Sequence, residues 1–414
     1  MSKSGFFFKK SKMKRIFLII ILIIFVFSNT IAQVDSLESA DKGTVWLNVP
    51  VQVFFKNNEY KRKIAYGYTL GGVRMIPNLE YRYKENISFS AGINMLRYWG
   101  ANQYGQYNFV NVPYYCDTNT QKQLHWKPYF RFDWQINNNL NLVMGNIKTE
   151  DSHSLPVPLY NRELVYSSDG EEGVQLIYNG TYWHNDAWLN WQNFNFYNDV
   201  DREAFDLGTS GALNIIRSPK YAGYLNYSFI WHHNGGELDT ISTLDLDHWA
   251  NGHIGAEYCL YNMFNGGNTF KFALDYLFSK DMKNNTLPFK SGYAWFPTVS
   301  YLWKNNIATI GYYDSKDMIT FYGTNFFSNL AQREKNVTYP HNQMLYASFE
   351  YNISLDYKNH ITKNDYNLAI VGEFFYKLDG ENSIEKETKG LSFGLGLILT
   401  AKPKFQIYKS KNLY

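Results

Sequence analysis

The chain has 414 residues, with 40 Lys and Arg against 37 Asp and Glu, and two cysteines. Six of the basic residues and no acidic residue fall within the first 33 positions, so the remaining chain has 34 basic and 37 acidic residues. This slightly negative balance gives no support to nucleic-acid binding. The absence of a CxxC motif or a Cys/His cluster excludes a cysteine-based metal site.

The N-terminus has the three parts of a secretory signal peptide. The basic stretch FFFKKSKMKR precedes the apolar run IFLIIILIIFVF, and Thr30 and Ala32 have the small-residue spacing of a cleavage site. A membrane anchor is the alternative, but a run of about a dozen residues is short for a span of about 20. We therefore expect a Sec signal peptide at 1–33 and an exported domain at 34–414.

The composition combines many aromatic residues with a polar average. Aromatic residues make up 18% of the chain, yet the mean hydropathy is −0.39. No apolar stretch after residue 33 is long enough for a transmembrane helix. Strands that face lipid on one side and water on the other combine these features, which favours a transmembrane β-barrel.

Alternation over about ten residues supports this fold class. In YAGYLNYSFIW at 221–231 most of the aromatic residues and the leucine share one face, opposite Ala222, Tyr224, Asn226 and Ser228. Strands of soluble sandwiches are typically only about five or six residues long. Runs of this kind predict an all-β, antiparallel barrel of about sixteen strands, near 45–55, 72–84, 87–100, 122–136, 140–148, 173–180, 182–194, 203–216, 221–233, 247–261, 268–279, 290–304, 307–315, 343–354, 366–378 and 390–402.

Connections between these strands alternate in length. Short ones fall at 84–86, 137–140, 179–182, 217–220 and 304–306. Long ones fall at 56–71, 101–121, 149–172, 195–202, 234–246, 280–289, 316–342 and 379–389. Short periplasmic turns and long outside loops are typical of bacterial outer-membrane barrels, so both termini are expected in the periplasm. Two turns on the periplasmic side, 262–267 and 355–365, are longer than usual.

The polar face of each strand is expected to line the interior. The ionisable residues on it are Arg74, Glu80, Arg82, Lys127, Arg131, Asp133, Lys271, Asp275, Glu350 and Glu373. They fit either a polar wall of mutually paired charges or a wet pore with a transverse field, and about sixteen strands leave room for an aqueous lumen. Aromatic girdles at the two membrane interfaces are expected from Tyr98, Trp99, Trp183, Trp188, Trp303 and Tyr312.

Catalytic and metal chemistry have weak support in the sequence. His153 and Ser154 are adjacent, and neighbouring residues of an extended chain point to opposite sides, so they are not expected to pair. No G-x-S-x-G motif occurs. The histidine pairs 232–233 and 248/253 lack ligand spacing, and the acidic stretches 167–172 and 237–247 lack the EF-hand pattern. We expect no catalytic site, metal or cofactor; a disulfide between Cys116 and Cys259 stays open.

The chain resembles bacterial outer-membrane porins. A signal peptide ending in AQ, about sixteen strands and aromatic girdles carry the resemblance. More narrowly, the stretches at 145–178 and 311–330 look like those of porin-like barrels of Bacteroidetes-type bacteria. In general porins the third long loop folds inward, which would place Glu150, Asp151, His153, Arg162 and Glu163 at a constriction. The chain departs from general porins at its C-terminus, KPKFQIYKSKNLY, which does not end in Phe.

These observations predict a non-enzymatic porin in the bacterial outer membrane. Small polar or charged solutes would diffuse through a water-filled barrel narrowed by the 149–172 loop, by size exclusion and the field of the lumen. Membrane lipid and small solutes are the expected partners, and assembly into a homo-oligomer is left open. The alternatives are a barrel enzyme acting on lipids and a closed barrel with surface-binding loops.

Overall fold

The computed structural model describes residues 42–61, 64–65, 67–99, 124–194, 202–236, 246–264, 266–283, 287–331, 337–355, 366–378, 380–381, 386–387 and 389–410. The predicted signal peptide at 1–33, Cys116 and most of the acidic stretch at 237–247 lie outside these residues. No helix among the described residues is long and apolar enough to cross a membrane.

Sixteen antiparallel strands in the described part of the chain form one closed barrel. They are β1 (Thr44–Asn48 and Val51–Glu59), β2 (Tyr68–Met75 and Asn78–Lys84), β3 (Ile87–Tyr98), β4 (His125–Gln135), β5 (Leu140–Asn146), β6 (Glu172–Asn179), β7 (Trp183–Asn193), β8 (Ala204–Arg217), β9 (Tyr221–Asn234), β10 (Asp247–Tyr261), β11 (Asn268–Asp281), β12 (Ser291–Trp303), β13 (Asn306–Lys316), β14 (His341–Ser354), β15 (Tyr366–Lys377) and β16 (Gly390–Ala401 and Lys404–Lys409). Each strand pairs with its neighbours in sequence, and β16 closes the barrel on β1 through pairs such as Val51↔Ala401. The predicted fold class is confirmed.

Three neighbouring strands are each interrupted by a proline. Pro50, Pro77 and Pro403 break β1, β2 and β16, because proline has no backbone N–H to donate to the ladder. Their carbonyls still accept, from Ile76 N to Pro50 O at 2.9 Å and from Val49 N to Pro403 O at 3.0 Å. The last strand therefore resumes after its proline and extends to residue 409, beyond the predicted end at 402.

The connections confirm the predicted alternation of lengths. Residues 85–86, 136–139, 180–182, 218–220 and 304–305, together with the longer 262–267 and 355–365, join strands at one end, here the short-turn end. The remaining connections lie at the opposite, long-loop end, which faces outwards in barrels of this type. A two-residue ribbon, Gly380–Glu381 with Lys386–Glu387, lies in the last long loop.

The two faces of the wall also follow the predicted alternation. On β9 the outward residues Tyr221, Leu225 and Phe229 are exposed, whereas the inward Ala222 and Ser228 are buried. The girdle prediction is correct in orientation for Trp99, Trp183, Trp303 and Tyr312 but wrong for Tyr98 and Trp188. Those two side chains point inwards, because chain segments inside the barrel provide apolar partners for them.

Two long connections fold into the barrel. The first inserted segment is residues 147–171, with a 3-10 turn at Ser152–Ser154 and the short helix α1 at Leu164–Ser167. The second inserted segment is residues 317–331, with a 3-10 turn at Asn325–Phe327. Together they fill much of the interior at the long-loop end and position the groups described next.

Candidate functional site

His153 anchors the first inserted segment to the barrel wall. Its ring is fully buried, with Nδ1 2.7 Å from Asp186 of β7 and Nε2 3.2 Å from Glu171. The ring also stacks on Trp188 at a centroid distance of 3.9 Å. Burial alone would lower the pKa of His153, but Glu171 and Asp186 outweigh it and raise the pKa to about 10. The imidazole is therefore held as a cation between two carboxylates.

The far part of the segment is fixed by β1, β2 and β3. Glu163 lies 3.0 Å from Lys56 Nζ and accepts a hydrogen bond from the Tyr68 hydroxyl at 2.7 Å. The guanidinium of Arg74 donates to the carbonyl of Val165, and the Tyr98 hydroxyl donates to the carbonyl of Ser167. Backbone carbonyls of the segment thus accept hydrogen bonds from side chains of the wall, as buried carbonyl groups require.

The second inserted segment has its own anchor on β10. The Asn251 side chain donates to Ile319 O at 2.8 Å and accepts from Phe321 N at 3.1 Å, and Trp249 stacks on Phe321. The segment also contacts the first one, where Thr320 Oγ1 donates to the Pro158 carbonyl at 2.5 Å.

An apolar cluster seals the space between the second segment and the wall. Its fully buried members lie on both inserted segments and on the neighbouring connection and strands; the largest are Ile64, Leu159, Leu277, Tyr313, Met318, Phe327, Tyr339 and Phe375.

The ten charged residues predicted for the inner wall lie on inward-facing strand positions, and most have a partner of opposite charge. Arg82 pairs with Glu80, Asp133 with Lys148, Lys271 with Glu257, Glu373 with Lys56, and Lys127 with Asp169. Arg74 and Arg131 instead donate to backbone carbonyls of the first inserted segment or of its approach. Glu350 accepts from Asn352 at 2.9 Å, and Asp275 lies near His253. The geometry favours the paired-charge interpretation of this wall.

The fold places the five residues expected at a constriction in different surroundings. Glu150, Asp151 and Arg162 are exposed towards a cavity of about 830 Å³ in the lumen. His153 does not line it, because the ring is buried in the anchor described above, and this corrects the prediction for that residue. Glu163 is buried against Lys56 at the edge of the cavity.

The lumen towards the short-turn end contains two cavities lined by both ionisable and apolar side chains. The 830 Å³ cavity adjoins a second one of about 850 Å³, and both are lined by Gln52, Glu150 and Glu350. Lys271 and Asp275 line the first, and Arg74, Arg131 and Asp133 line the second. Cys259 is a free, buried thiol on β10.

His153 and Ser154 do not form a catalytic pair. Both ring nitrogens of His153 face carboxylates, and the Ser154 hydroxyl donates to Asp151 at 3.3 Å. A different row lies on the inner wall, where Ser228 Oγ is 2.6 Å from His253 Nδ1, and His253 Nε2 is 3.9 Å from Asp275. All three residues are buried at mid-height of the wall, a position that is reached only from the lumen.

A histidine–carboxylate pair lies on the outer face of the wall. His341 Nε2 is 2.5 Å from Asp314 Oδ1, and Gln343 donates to the other oxygen of Asp314 at 3.3 Å. The side chains of His341 and Asp314 are 57% and 34% exposed. This pair was missed in the sequence, because 27 residues separate its members and only the register of β13 with β14 brings them together.

The outer pair lies at the boundary between an apolar surface and the long-loop end. Asp314 is directly opposite Trp295, and Lys316 is directly opposite both Tyr293 and His341. Nearer the middle of the wall, Ile310 and Leu345 are exposed on the same face. Aromatic residues above an apolar band mark the membrane interface of such barrels, so the pair lies at headgroup depth.

Comparison with known protein families shows which family the chain belongs to. The sequence model of the lipid A 3'-O-deacylase-type family matches residues 37–410. The chain belongs to this family. The expectation that the protein is not an enzyme is thereby overturned, because the matched family is an enzyme family. The porin-like resemblance holds for the barrel architecture and not for the family.

Solved outer-membrane barrels share the architecture. OccAB2 of Acinetobacter baumannii is 11% identical with a TM-score of 0.50, covering 89% of this chain and 100% of that one. OccAB4 of the same organism has 11% identity, a TM-score of 0.49 and the same coverages. OprD of Pseudomonas aeruginosa has 11% identity and a TM-score of 0.47, covering 89% of this chain and 96% of that one. No curated protein matches the chain. The first of these likenesses shows that the barrel fold is shared with OccAB2.

Proposed function

We propose that the protein hydrolyses an acyl ester of a lipid in the outer leaflet of the outer membrane, with His341 and Asp314 as the central groups. The observation that carries the proposal is their 2.5 Å contact on the outer face at headgroup depth. Membership in the deacylase-type family supports the same class of reaction.

The pair has the arrangement of a general base and its orienting carboxylate. A carboxylate at 2.5 Å accepts the Nε2–H of His341 and leaves Nδ1 unprotonated. Nδ1 takes a proton from a water molecule while the water oxygen attacks the ester carbonyl carbon. The same proton then passes to the leaving alkoxide oxygen as its bond to the acyl carbon breaks. The products are a free fatty acid and a hydroxyl group on the lipid.

Neighbouring groups suit this reaction. Gln343 holds the second oxygen of Asp314, which fixes the carboxylate that orients the histidine. Lys316 is the cross-strand partner of His341, and side chains directly opposite each other in a sheet start about 5 Å apart. Its ammonium would supply positive charge close to the developing oxyanion.

Access favours the outer pair over the inner row for a lipid substrate. A lipid ester reaches the barrel sideways along the membrane interface, where His341 is exposed. Ser228, His253 and Asp275 face the lumen and are buried. To reach them, an acyl chain would have to leave the bilayer and enter the lumen beside charged groups such as Lys271 and Glu257. Each CH₂ group that meets water there is unfavourable by about 0.8 kcal/mol.

The test is release of fatty acid by the purified barrel in mixed micelles containing lipid A, followed by mass spectrometry. We expect His341→Ala to lower the rate by about 10²–10⁴-fold, which is the usual contribution of a general base. Asp314→Asn should lower it too, because the amide cannot hold the required tautomer.

His253→Ala is the matched control, since it removes a histidine that also faces a carboxylate but lies on the inner wall. The rate should be unchanged in this variant. Loss of activity in His253→Ala with full activity in His341→Ala would transfer the reaction to the inner row. A wild-type barrel that releases no fatty acid would contradict the proposed reaction.

A second candidate function is passage of small polar solutes, with the first inserted segment narrowing the route. The cavities of about 830 and 850 Å³, both bordered by Glu150 of that segment and by Glu350 of the wall, favour it. In planar bilayers, Arg82→Gln should shift the reversal potential in a salt gradient towards cation preference, because a positive group leaves the inner wall. Arg97→Gln, at an exposed, outward-facing site on β3, is the control. Absence of conductance steps at any voltage would contradict this function.

A further inference from the structure

Two histidines that are 15 residues apart in sequence lie next to each other on the outer face near the long-loop end. His233 of β9 and His248 of β10 are directly opposite each other in the register of the two strands. Their Nδ1 atoms are 3.4 Å apart. Proximity in sequence would pair His232 with His233 and His248 with His253. The pleat of the strands instead turns His232 and His253 inwards and leaves His233 and His248 on the same outward face.

The separation of the two nitrogens fits a shared metal ion. Zn²⁺ binds imidazole nitrogen at about 2.0–2.1 Å in tetrahedral sites. Two ligands at the tetrahedral angle are then about 3.4 Å apart, which follows from those bond lengths. The Nδ1 atoms therefore have the required spacing without a movement of either strand.

A carboxylate and two aromatic rings hold the pair in place. Glu203 Oε2 lies 3.8 Å from Nε2 of His233, on the side away from His248. A carboxylate there favours the tautomer with the proton on Nε2, which leaves Nδ1 free as a ligand, as in carboxylate–histidine–metal sites. Phe205 stacks on His233 at 4.6 Å and Trp231 stacks on His248 at 5.3 Å.

We propose that His233 and His248 form a two-histidine site for a borderline divalent cation such as Zn²⁺, Ni²⁺ or Cu²⁺, with Glu203 orienting His233. Imidazole ligands select this class of metal over Ca²⁺ and Mg²⁺. No group of three or more His, Cys, Asp or Glu side chains within the described ranges is arranged to hold a metal, and the proposal concerns the two imidazoles alone. The site is separate from His341 and does not depend on the proposed hydrolysis.

A direct N–H···N hydrogen bond between two neutral imidazoles has a similar separation, so metal titration has to distinguish the two. The untagged full-length barrel, stripped with a chelator, is titrated with Zn²⁺ in detergent by calorimetry. We expect about one Zn²⁺ per chain, abolished in His233→Ala and in His248→Ala. Glu203→Gln should weaken binding by about 10–100-fold, as removal of an orienting carboxylate does at other histidine sites.

His184→Ala is the matched control, because His184 is a histidine at the opposite end of the wall, paired with Asn179. Its affinity for Zn²⁺ should equal that of the wild type. Circular dichroism checks that each variant keeps its strand content. Absence of Zn²⁺ binding by the wild type, or binding that persists in the double variant of His233 and His248, would overturn the proposal.

Discussion

At the scale of single residues, His153 shows how a charged group can be structural inside a membrane barrel. A buried ion is unfavourable unless it is paired, and this imidazole has a carboxylate at each nitrogen. Residues 152–154 also have positive φ angles of 55°, 52° and 53°, a backbone region that is unfavourable for non-glycine residues. The ion pairs, the stacking on Trp188 and the bond from Ser210 to the His153 carbonyl offset that local strain.

The anchor should weaken at high pH. The folded pKa of about 10 is raised above the ordinary value of 6.5, so its stabilisation is complete below about pH 6.5 and is lost as pH rises through 10. The shift corresponds to a few kcal/mol, on the order of 1.4 kcal/mol per pKa unit. Hydrogen exchange of residues 147–171 should therefore accelerate between pH 7 and 10 beyond its intrinsic rise.

Asp186→Asn should move this loss of protection to lower pH, because one of the two carboxylates that raise the pKa of His153 is removed. Amides of β12 serve as the internal control and should follow the intrinsic rate alone. Protection of the segment that stays constant through pH 11 would show that the charge of His153 does not hold it.

At the scale of elements, two glycines permit β5 and β6 to lead into the first inserted segment. Gly145 and Gly173 are directly paired, with φ angles of 90° and 155°. A side-chain carbon at Gly145 would lie 2.2 Å from the Phe130 carbonyl oxygen, and one at Gly173 would lie 2.0 Å from that of Leu189. Glycine at these positions allows the backbones to approach closely where the strands end.

Gly145→Ala should accordingly loosen the base of the segment. The strained backbone and the clash together are expected to lower stability by about 1–3 kcal/mol. The measurement is the midpoint of urea unfolding in detergent, followed by tryptophan fluorescence. Gly266→Ala is the control, since its added carbon would have only one neighbour, at 3.7 Å. Equal midpoints for the two variants would contradict the role of Gly145.

Alternation in the sequence was sufficient to place all sixteen strands, because each inward or outward step changes the solvent that a side chain meets. It was insufficient at the prolines: the pattern predicts that β16 ends at 402, whereas the strand resumes beyond Pro403. The pattern also predicts that β1 ends at residue 55, which places Lys56 in a loop. In the structure Lys56 lies on the inner wall between Glu163 and Glu373.

The sequence pattern could not predict which residues of neighbouring strands contact each other. Periodicity fixes the face of a residue but not its cross-strand partner, which depends on register. The pairs His341–Asp314 and His233–His248 arise from register alone. For the same reason the sequence could name ionisable residues of the inner wall without showing which oppositely charged residues most of them pair with, such as Lys56 with Glu373.

At the scale of the whole molecule, the interior changes character along the barrel axis. Apolar side chains pack at the long-loop end, and cavities with ionisable residues in their lining occupy the region towards the short-turn end. A sequence-based view of 316–342 as an outside loop could not anticipate this packing, because nothing in a loop's own pattern tells whether it turns inwards. If solutes pass through the barrel as the second candidate function proposes, the packed half is the part expected to limit their passage.

Asn251 tests that dependence, because its side chain holds two backbone groups of the second inserted segment, at Ile319 and Phe321. Asn251→Ala removes both of these hydrogen bonds inside the barrel, and loss of the partner of a buried polar group is unfavourable by about 1–3 kcal/mol. The segment should then leave its site more often, and conductance steps in planar bilayers should become larger or more frequent than in the wild type. Asn268→Ala removes a buried amide on the outer face that bonds Tyr301 and Phe264 N near the short-turn end, without contact to either segment, and should conduct like the wild type. If Asn251→Ala also conducts like the wild type, the second segment does not limit passage, and the route for solutes must run beside the first segment, past Arg74 and Glu150.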